Sequence, residues 1–123
     1  MTPKRILHIE DNPSNRKAVR HILRQTDYEL TEAVDGEEGI RLALESPPDL
    51  ILLDIQLPKF SGYEVAQRLR ADERTRDIPI IAITSYALSG DDNKAIQSGC
   101  SDYIAKPYRP KVLLEHIHKY LEA

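Results

Sequence analysis

The sequence predicts an α/β domain: five parallel strands alternating with five helices, a doubly wound sheet covered on both faces. Three observations carry that reading. Short, nearly unbroken runs rich in Ile and Leu recur at residues 6–9, 50–53 and 80–83, the pattern of strands buried on both sides. Segments with apolar residues at helical spacing lie between them. Polar residues stand where apolar runs end: Glu10 and Asp11 after the first, Asp54 after the third, Thr84 at the close of the fourth and Lys106-Pro107 after the fifth.

Each element follows in order. Strand one is 6–9, and helix one is 14–25, with Ala18, Val19, Ile22 and Leu23 on one stripe. A weaker strand, 29–34, leads to helix two at 36–45, carrying Gly39, Ile40, Ala43 and Leu44. Strand three is 50–53, and helix three is 62–71, with Val65, Ala66 and Leu69 inward. Strand four is 80–83, and helix four is the short, poorly apolar 91–98, anchored by Ala95 and Ile96. A second weak strand, 103–105, precedes helix five at 111–121, whose wider face holds Val112, Leu114, Ile117, Tyr120 and Leu121. Asn12-Pro13-Ser14 and Ser61-Gly62 are helix-opening signals. Pro47-Pro48 stops helix two, Pro79 opens strand four, and Ser98-Gly99 closes helix four. Residues 70–77 read as a solvated helix end and loop.

Length and composition bound the rest. The 123 residues suit one domain spanning 1–123, and 41% hydrophobic with 30% charged is an ordinary globular balance. A net charge of −3 argues against a nucleic-acid surface, although Lys106, Arg109 and Lys111 lie close together. No run reaches membrane-spanning length, and the first apolar stretch is too short for a signal peptide. One cysteine, Cys100, permits no internal disulfide and fits a reducing cytoplasm as a small buried filler.

In a parallel sheet the carboxyl ends of the strands share one edge, where such folds bind ligands. Glu10, Asp11, Asp54, Thr84 and Lys106 then meet in one pocket. Three carboxylates facing one ammonium suit Mg²⁺, a hard cation with octahedral oxygen coordination, and a phosphoryl group. Asp11 and Asp54 offer carboxylate oxygens, Gln56 offers its backbone carbonyl, and Glu10 is placed to hold a metal-bound water. Asp54 is the natural nucleophile, since aspartyl phosphate is an established covalent intermediate. Lys106 and the Thr84 hydroxyl are the groups available to the remaining phosphoryl oxygens. Any one of these residues alone would read as a helix cap, a surface lysine or a strand threonine. A carboxylate beside the apolar run 51–53, however, is costly unless paired or metal-bound. His8 reads as a neutral core histidine. His116 and His118, two apart on a helix, cannot share a metal.

With these residues in order, the chain resembles the receiver domain of bacterial two-component response regulators over essentially its whole length. The motifs are Glu10-Asp11-Asn12, Asp54-Ile55-Gln56-Leu57-Pro58, Ser61-Gly62-Tyr63-Glu64, Thr84-Ser85 and Tyr103-Ile104-Ala105-Lys106-Pro107. The resemblance implies a flavodoxin-like (CheY-like) fold. It also implies that Asp54 accepts phosphate from a histidine kinase or histidine phosphotransfer protein, and that Lys106-Pro107 is cis. Thr84 and Tyr103 are implied to switch together. A downstream protein would then bind a face made of residues 89–92, Tyr103 and the exposed side of 111–119. Gln56 and Tyr86 are the implied controls of turnover, with Tyr86 shielding the phosphoryl group and giving it a long life. The opening after Asn12 and the 98–100 stretch look most like stand-alone and hybrid-kinase receivers. The chain fits either a stand-alone protein, monomeric or weakly dimeric, or a receiver excised from a larger regulator or hybrid histidine kinase.

Two rival readings fail on specific residues. A phosphatase of the haloacid-dehalogenase kind needs a proton-transferring Asp two residues after the nucleophile, where this chain has Gln56. A nucleotide-binding domain needs a Gly-rich first turn, where this chain has Glu10-Asp11-Asn12-Pro13. The expectation is thus a signalling module with no catalytic activity beyond its own phosphorylation and dephosphorylation.

Overall fold

The computed structural model describes residues 2–59, 61–85 and 91–122, for 91 and 92 the backbone only. Five strands and five helices alternate: β1 Arg5–Ile9, α1 Pro13–Leu23, β2 Glu29–Ala33, α2 Gly36–Glu45, β3 Leu50–Asp54, α3 Gly62–Ala71, β4 Ile80–Thr84, α4 Asp91–Gln97, β5 Asp102–Ala105 and α5 Pro110–Leu121. All sheet pairings are parallel, in the order β2-β1-β3-β4-β5. This is the flavodoxin-like doubly wound arrangement, with its order reversing between β1 and β3.

Side-chain alternation along the strands splits the core in two. Leu7, Ile9, Ile51, Leu53, Ile80 and Ala82 pack with Ala43 of α2, Val65, Ala66 and Leu69 of α3, and Ala95 of α4. Ile6, Leu50, Leu52, Ile81, Ile83 and Ile104 pack with Val19 and Leu23 of α1 and Leu113 and Ile117 of α5. Each fully buried aliphatic side chain contributes about 1.5–3 kcal/mol. β3 and β4 are buried at every position, whereas β2 and β5 are the edge strands and are only partly covered. That is why 29–34 and 103–105 give the weaker strand signals.

Local chemistry sets the element ends. Asn12 caps α1, its Oδ1 accepting from the Ser14 and Asn15 amides at 2.8 and 3.2 Å. Asp35 caps α2 by accepting from the Glu38 amide at 2.8 Å. Gly99, at φ +111°, closes α4: its amide donates to Ile96 O and that of Cys100 to Ala95 O, each at 3.0 Å.

Four sequence readings need correction. Ala18 is exposed, because the α1 stripe that faces the sheet narrows to Val19 and Leu23 with Ile22 at its margin. Ile96 is 48% exposed, so Ala95 alone anchors the described part of α4. Ser61 precedes α3 but makes no side-chain capping bond. The 70–77 stretch is more than a solvated loop. Thr75 is fully buried, its hydroxyl donating to Leu69 O, and Arg70 Nε donates to Gly99 O at 2.7 Å. Further donations run from Arg70 to Arg76 O at 2.8 Å, Ile78 O at 2.6 Å and Ser101 Oγ at 3.2 Å.

Candidate functional site

The parallel register carries β1, β3, β4 and β5 to one carboxyl edge. Ile9 pairs with Leu53, Asp54 with Ile83, and Thr84 with Ala105. Backbone bonds continue the ladder beyond the strands, from the Ile55 amide to Ile83 O at 3.1 Å and from the Lys106 amide to Thr84 O at 2.8 Å. The residues leaving these strands therefore converge. Glu10, Asp11 and Asp54 each present a carboxylate oxygen within 4.8 Å of the others. Lys106 Nζ lies 3.5 Å from Glu10 Oε1 and 3.7 Å from Asp54 Oδ2. The Lys106-Pro107 peptide is cis.

Burial makes this cluster electrostatically tense. Glu10 and Asp54 are 1% and 3% exposed, and Lys106 is partly buried, while Asp11 opens to solvent. Desolvation, then the neighbouring Asp54, pushes the Glu10 carboxyl above its usual range, and Lys106 offsets only part of this. Three carboxylates against one ammonium leave an excess of negative charge that suits a divalent cation. Protein oxygens from separate loops, with one solvent-facing side, match Mg²⁺, which keeps several waters.

Backbone interactions hold these side chains in place. Asp54 Oδ1 accepts from the Gln56 amide at 3.0 Å, and Glu10 Oε2 from the Asn12 amide at 3.2 Å. Arg16 on α1 donates to Glu10 O at 2.9 Å. Gly62 has a part the sequence reading did not give it. A Cβ there would come within 2.5 Å of Asp54 O and 2.7 Å of Ile55 Cα, so only glycine lets α3 start against the end of β3. The signal for it was Gly62 eight residues after Asp54, read only as part of a helix opening.

Thr84 is fully buried at the end of β4, beside this pocket, and Tyr103 is half-buried on β5, packed against the α2–α4 core. Gln56 is exposed. Tyr86, and residues 89 and 90 of the expected partner face, lie outside the described residues. His8 is buried and uncharged, its pKa pushed down to about 4, mainly by burial. Cys100 is buried, and burial pushes its thiol up to about 11. His116 and His118 part company as expected: His116 Nδ1 lies 2.9 Å from Val112 O, while the exposed His118 ring meets Tyr28.

A doubly wound α/β module with a carboxylate trio and one lysine at its carboxyl edge is the class that fold and site define. The chain belongs to the response regulator receiver domain family, whose model matches residues 6–118. It is a phosphoryl-acceptor module of two-component signalling. It is 43% identical over 119 residues to the polar-differentiation response regulator DivK of Brucella anthropi, covering 97% of both chains. Among solved structures, it is similar to the receiver domain of sensor histidine kinase PA1611 from Pseudomonas aeruginosa. The TM-score is 0.92 and the identity 36%, over 99% of this chain and 100% of that one. That receiver holds a magnesium ion coordinated in its active site cleft. A third match comes from the co-crystal structure of the Saccharomyces cerevisiae histidine phosphotransfer protein Ypd1 with the receiver domain of Ssk1. Its TM-score is 0.88 and its identity 30%, over 98% of this chain and 90% of that one. Among the described residues, no helix is long and apolar enough to cross a membrane.

Proposed function

We propose that residues 1–123 form one receiver domain that is switched by phosphorylation of Asp54. The observation that carries this reading is the meeting of Glu10, Asp11, Asp54 and Lys106 at one edge of the sheet. The donor is a histidine kinase or a histidine phosphotransfer protein, the chemistry of the partner in the Ypd1–Ssk1 complex. An Asp54 carboxylate oxygen forms the new P–O bond as the P–N bond to the donor histidine breaks. Lys106 balances charge on one phosphoryl oxygen, and the Thr84 hydroxyl donates to another. Asp11, Asp54 and the Gln56 carbonyl hold Mg²⁺, with Glu10 bonding one of its waters. Bound there, the ion neutralises the charge that gathers on the transferred group.

Drawing Thr84 toward the phosphoryl group frees space into which Tyr103 moves. This alters the α4–β5–α5 face that a downstream protein reads. Gln56 and Tyr86 set the lifetime of the phosphorylated state, and the only catalysis is the chain's own phosphorylation and dephosphorylation. Asp/Lys chemistry and a single reduced cysteine suit the cytoplasm. The test is labelling by acetyl phosphate in Mg²⁺. The parent takes up one acid-stable, base-labile phosphoryl group, and Asp54→Asn takes up none; equal labelling of Asp54→Asn overturns the assignment.

A further inference from the structure

The fold holds the three carboxylates of the site unequally. Asp54 Oδ1 and Glu10 Oε2 accept backbone amides at 3.0 and 3.2 Å. Asp11 is exposed, and among the described residues its carboxylate accepts no hydrogen bond. Its aim is therefore set through its backbone, and Arg16 of α1 donates to that backbone on both sides. The Arg16 amide donates to Asn12 O at 3.0 Å, and its Nη1 to Glu10 O at 2.9 Å. The Glu10 carbonyl and the Asp11 Cα share one rigid peptide plane, so a bond to that oxygen fixes where the Asp11 side chain departs. Any helix starting here would make the amide bond, but only the side chain of Arg16 makes the other. The guanidinium is half-buried and forms no ion pair among the described residues. Arg20, Arg41, Arg68 and Arg74 each pair with a carboxylate instead. By bonding a carbonyl, Arg16 orders the turn and leaves the negative charge of the trio for a cation.

We propose that Arg16 is a positioning residue for cation binding: its guanidinium, bonded to Glu10 O, holds the Asp11 carboxylate where it joins Asp54 on Mg²⁺. The role rests on the reading of Asp11 and Asp54 as cation ligands and acts through Asp11. Two effects of this side chain oppose each other. Its positive charge, beside Glu10, repels a second cation. Its hold on the peptide plane favours one, as partners behind a metal ligand commonly do. The sign of the change on removing Arg16 tells which effect wins.

Mg²⁺ affinity is read from amide shifts in the parent, Arg16→Met, Arg16→Lys and Asp11→Ala. Methionine keeps an unbranched stem and loses both donor and charge. Arg16→Met should bind Mg²⁺ about tenfold more weakly than the parent. Arg16→Lys should stay within about threefold of the parent, since one ammonium suffices for one carbonyl where no planar fork is used. In chelator, hydrogen exchange of the Asn12 amide, which meets Glu10 Oε2, should quicken in Arg16→Met while that of Leu52 and Ile81 in the core holds steady. Equal or tighter Mg²⁺ binding in Arg16→Met, no recovery in Arg16→Lys, unchanged exchange at Asn12, or faster exchange throughout the core overturns the proposal. Undiminished Mg²⁺ binding in Asp11→Ala would instead overturn the ligand assignment, and the role of Arg16 with it.

Discussion

At the carboxyl edge of the sheet, buried Glu10 and Asp54 share one lysine at 3.5 and 3.7 Å, with Asp11 adding further negative charge. At the amino edge, the half-buried guanidinium of Arg70 donates to Gly99, Arg76 and Ile78 carbonyls and to the Ser101 hydroxyl, at 2.6 to 3.2 Å. The first cluster has more charge than its own groups balance, and the second has its donors met by main-chain carbonyls and one hydroxyl. A charge satisfied within the fold adds stability and leaves nothing to offer a ligand. A charge left over lowers stability and supplies the affinity for whatever completes it. The two ends of one sheet thus divide holding the fold from binding.

The amino edge gives the largest expected effect. Arg70→Ala strips two segments, the entry to β4 and the α4–β5 turn, of the donor that ties both to the end of α3. It should lower unfolding free energy by about 3 kcal/mol, read by urea denaturation. Arg70→Lys should recover less than half, since one ammonium cannot reproduce the planar fork. A loss within ~0.5 kcal/mol, the usual range for surface changes, would erase the contrast between the edges.

Next comes a pH effect at His8. Its pKa falls from 6.5 to about 4 on folding. A depressed folded value means the contribution to stability is whole above about 6.5 and is lost as pH falls toward 4, a span worth roughly 3 kcal/mol only at its acid limit. His8→Leu should remove this limb, so its unfolding free energy should fall less steeply than the parent's between those pH values. Parallel pH profiles would show that His8 is not the buried base.

A smaller effect of opposite sign is expected at the carboxyl edge. Glu10 is held above its usual range by burial and by Asp54, so its ionised form at neutral pH destabilises the metal-free fold. Glu10→Gln should raise stability in chelator by on the order of 1 kcal/mol while weakening Mg²⁺ binding. A loss of stability would mean that the Lys106 pair outweighs the repulsion.

Much of this was legible in the sequence because it depends on short-range pattern. β1, β3 and β4 announce themselves by apolar runs broken only by His8 in β1, and strand-end polar residues must meet once the strands are parallel. Gln56, Thr84 and Lys106 follow from the same register. β2 and β5 were faint because edge strands need not be apolar on both faces. Arg70 was illegible as a clamp: its acceptors are mostly main-chain carbonyls in two segments, which carry no residue-type signature. Ile96 misled because seven helical residues ending at a left-handed glycine leave α4 too short to bury a second anchor. Gly62 was visible, but its reason, the approach of α3 to the Asp54 carbonyl, exists only in three dimensions.

Mg²⁺-dependent stability tests the contrast most directly. Unfolding free energy should be followed against Mg²⁺ concentration for the parent, Asp11→Ala and Arg70→Lys. A ligand that binds only the folded state stabilises it by mass action. The account predicts a rise for the parent, the same rise from a lower baseline for Arg70→Lys, and a flat line for Asp11→Ala. An equal rise in Asp11→Ala would contradict the claim that the unbalanced carboxylates of this edge are the cation site.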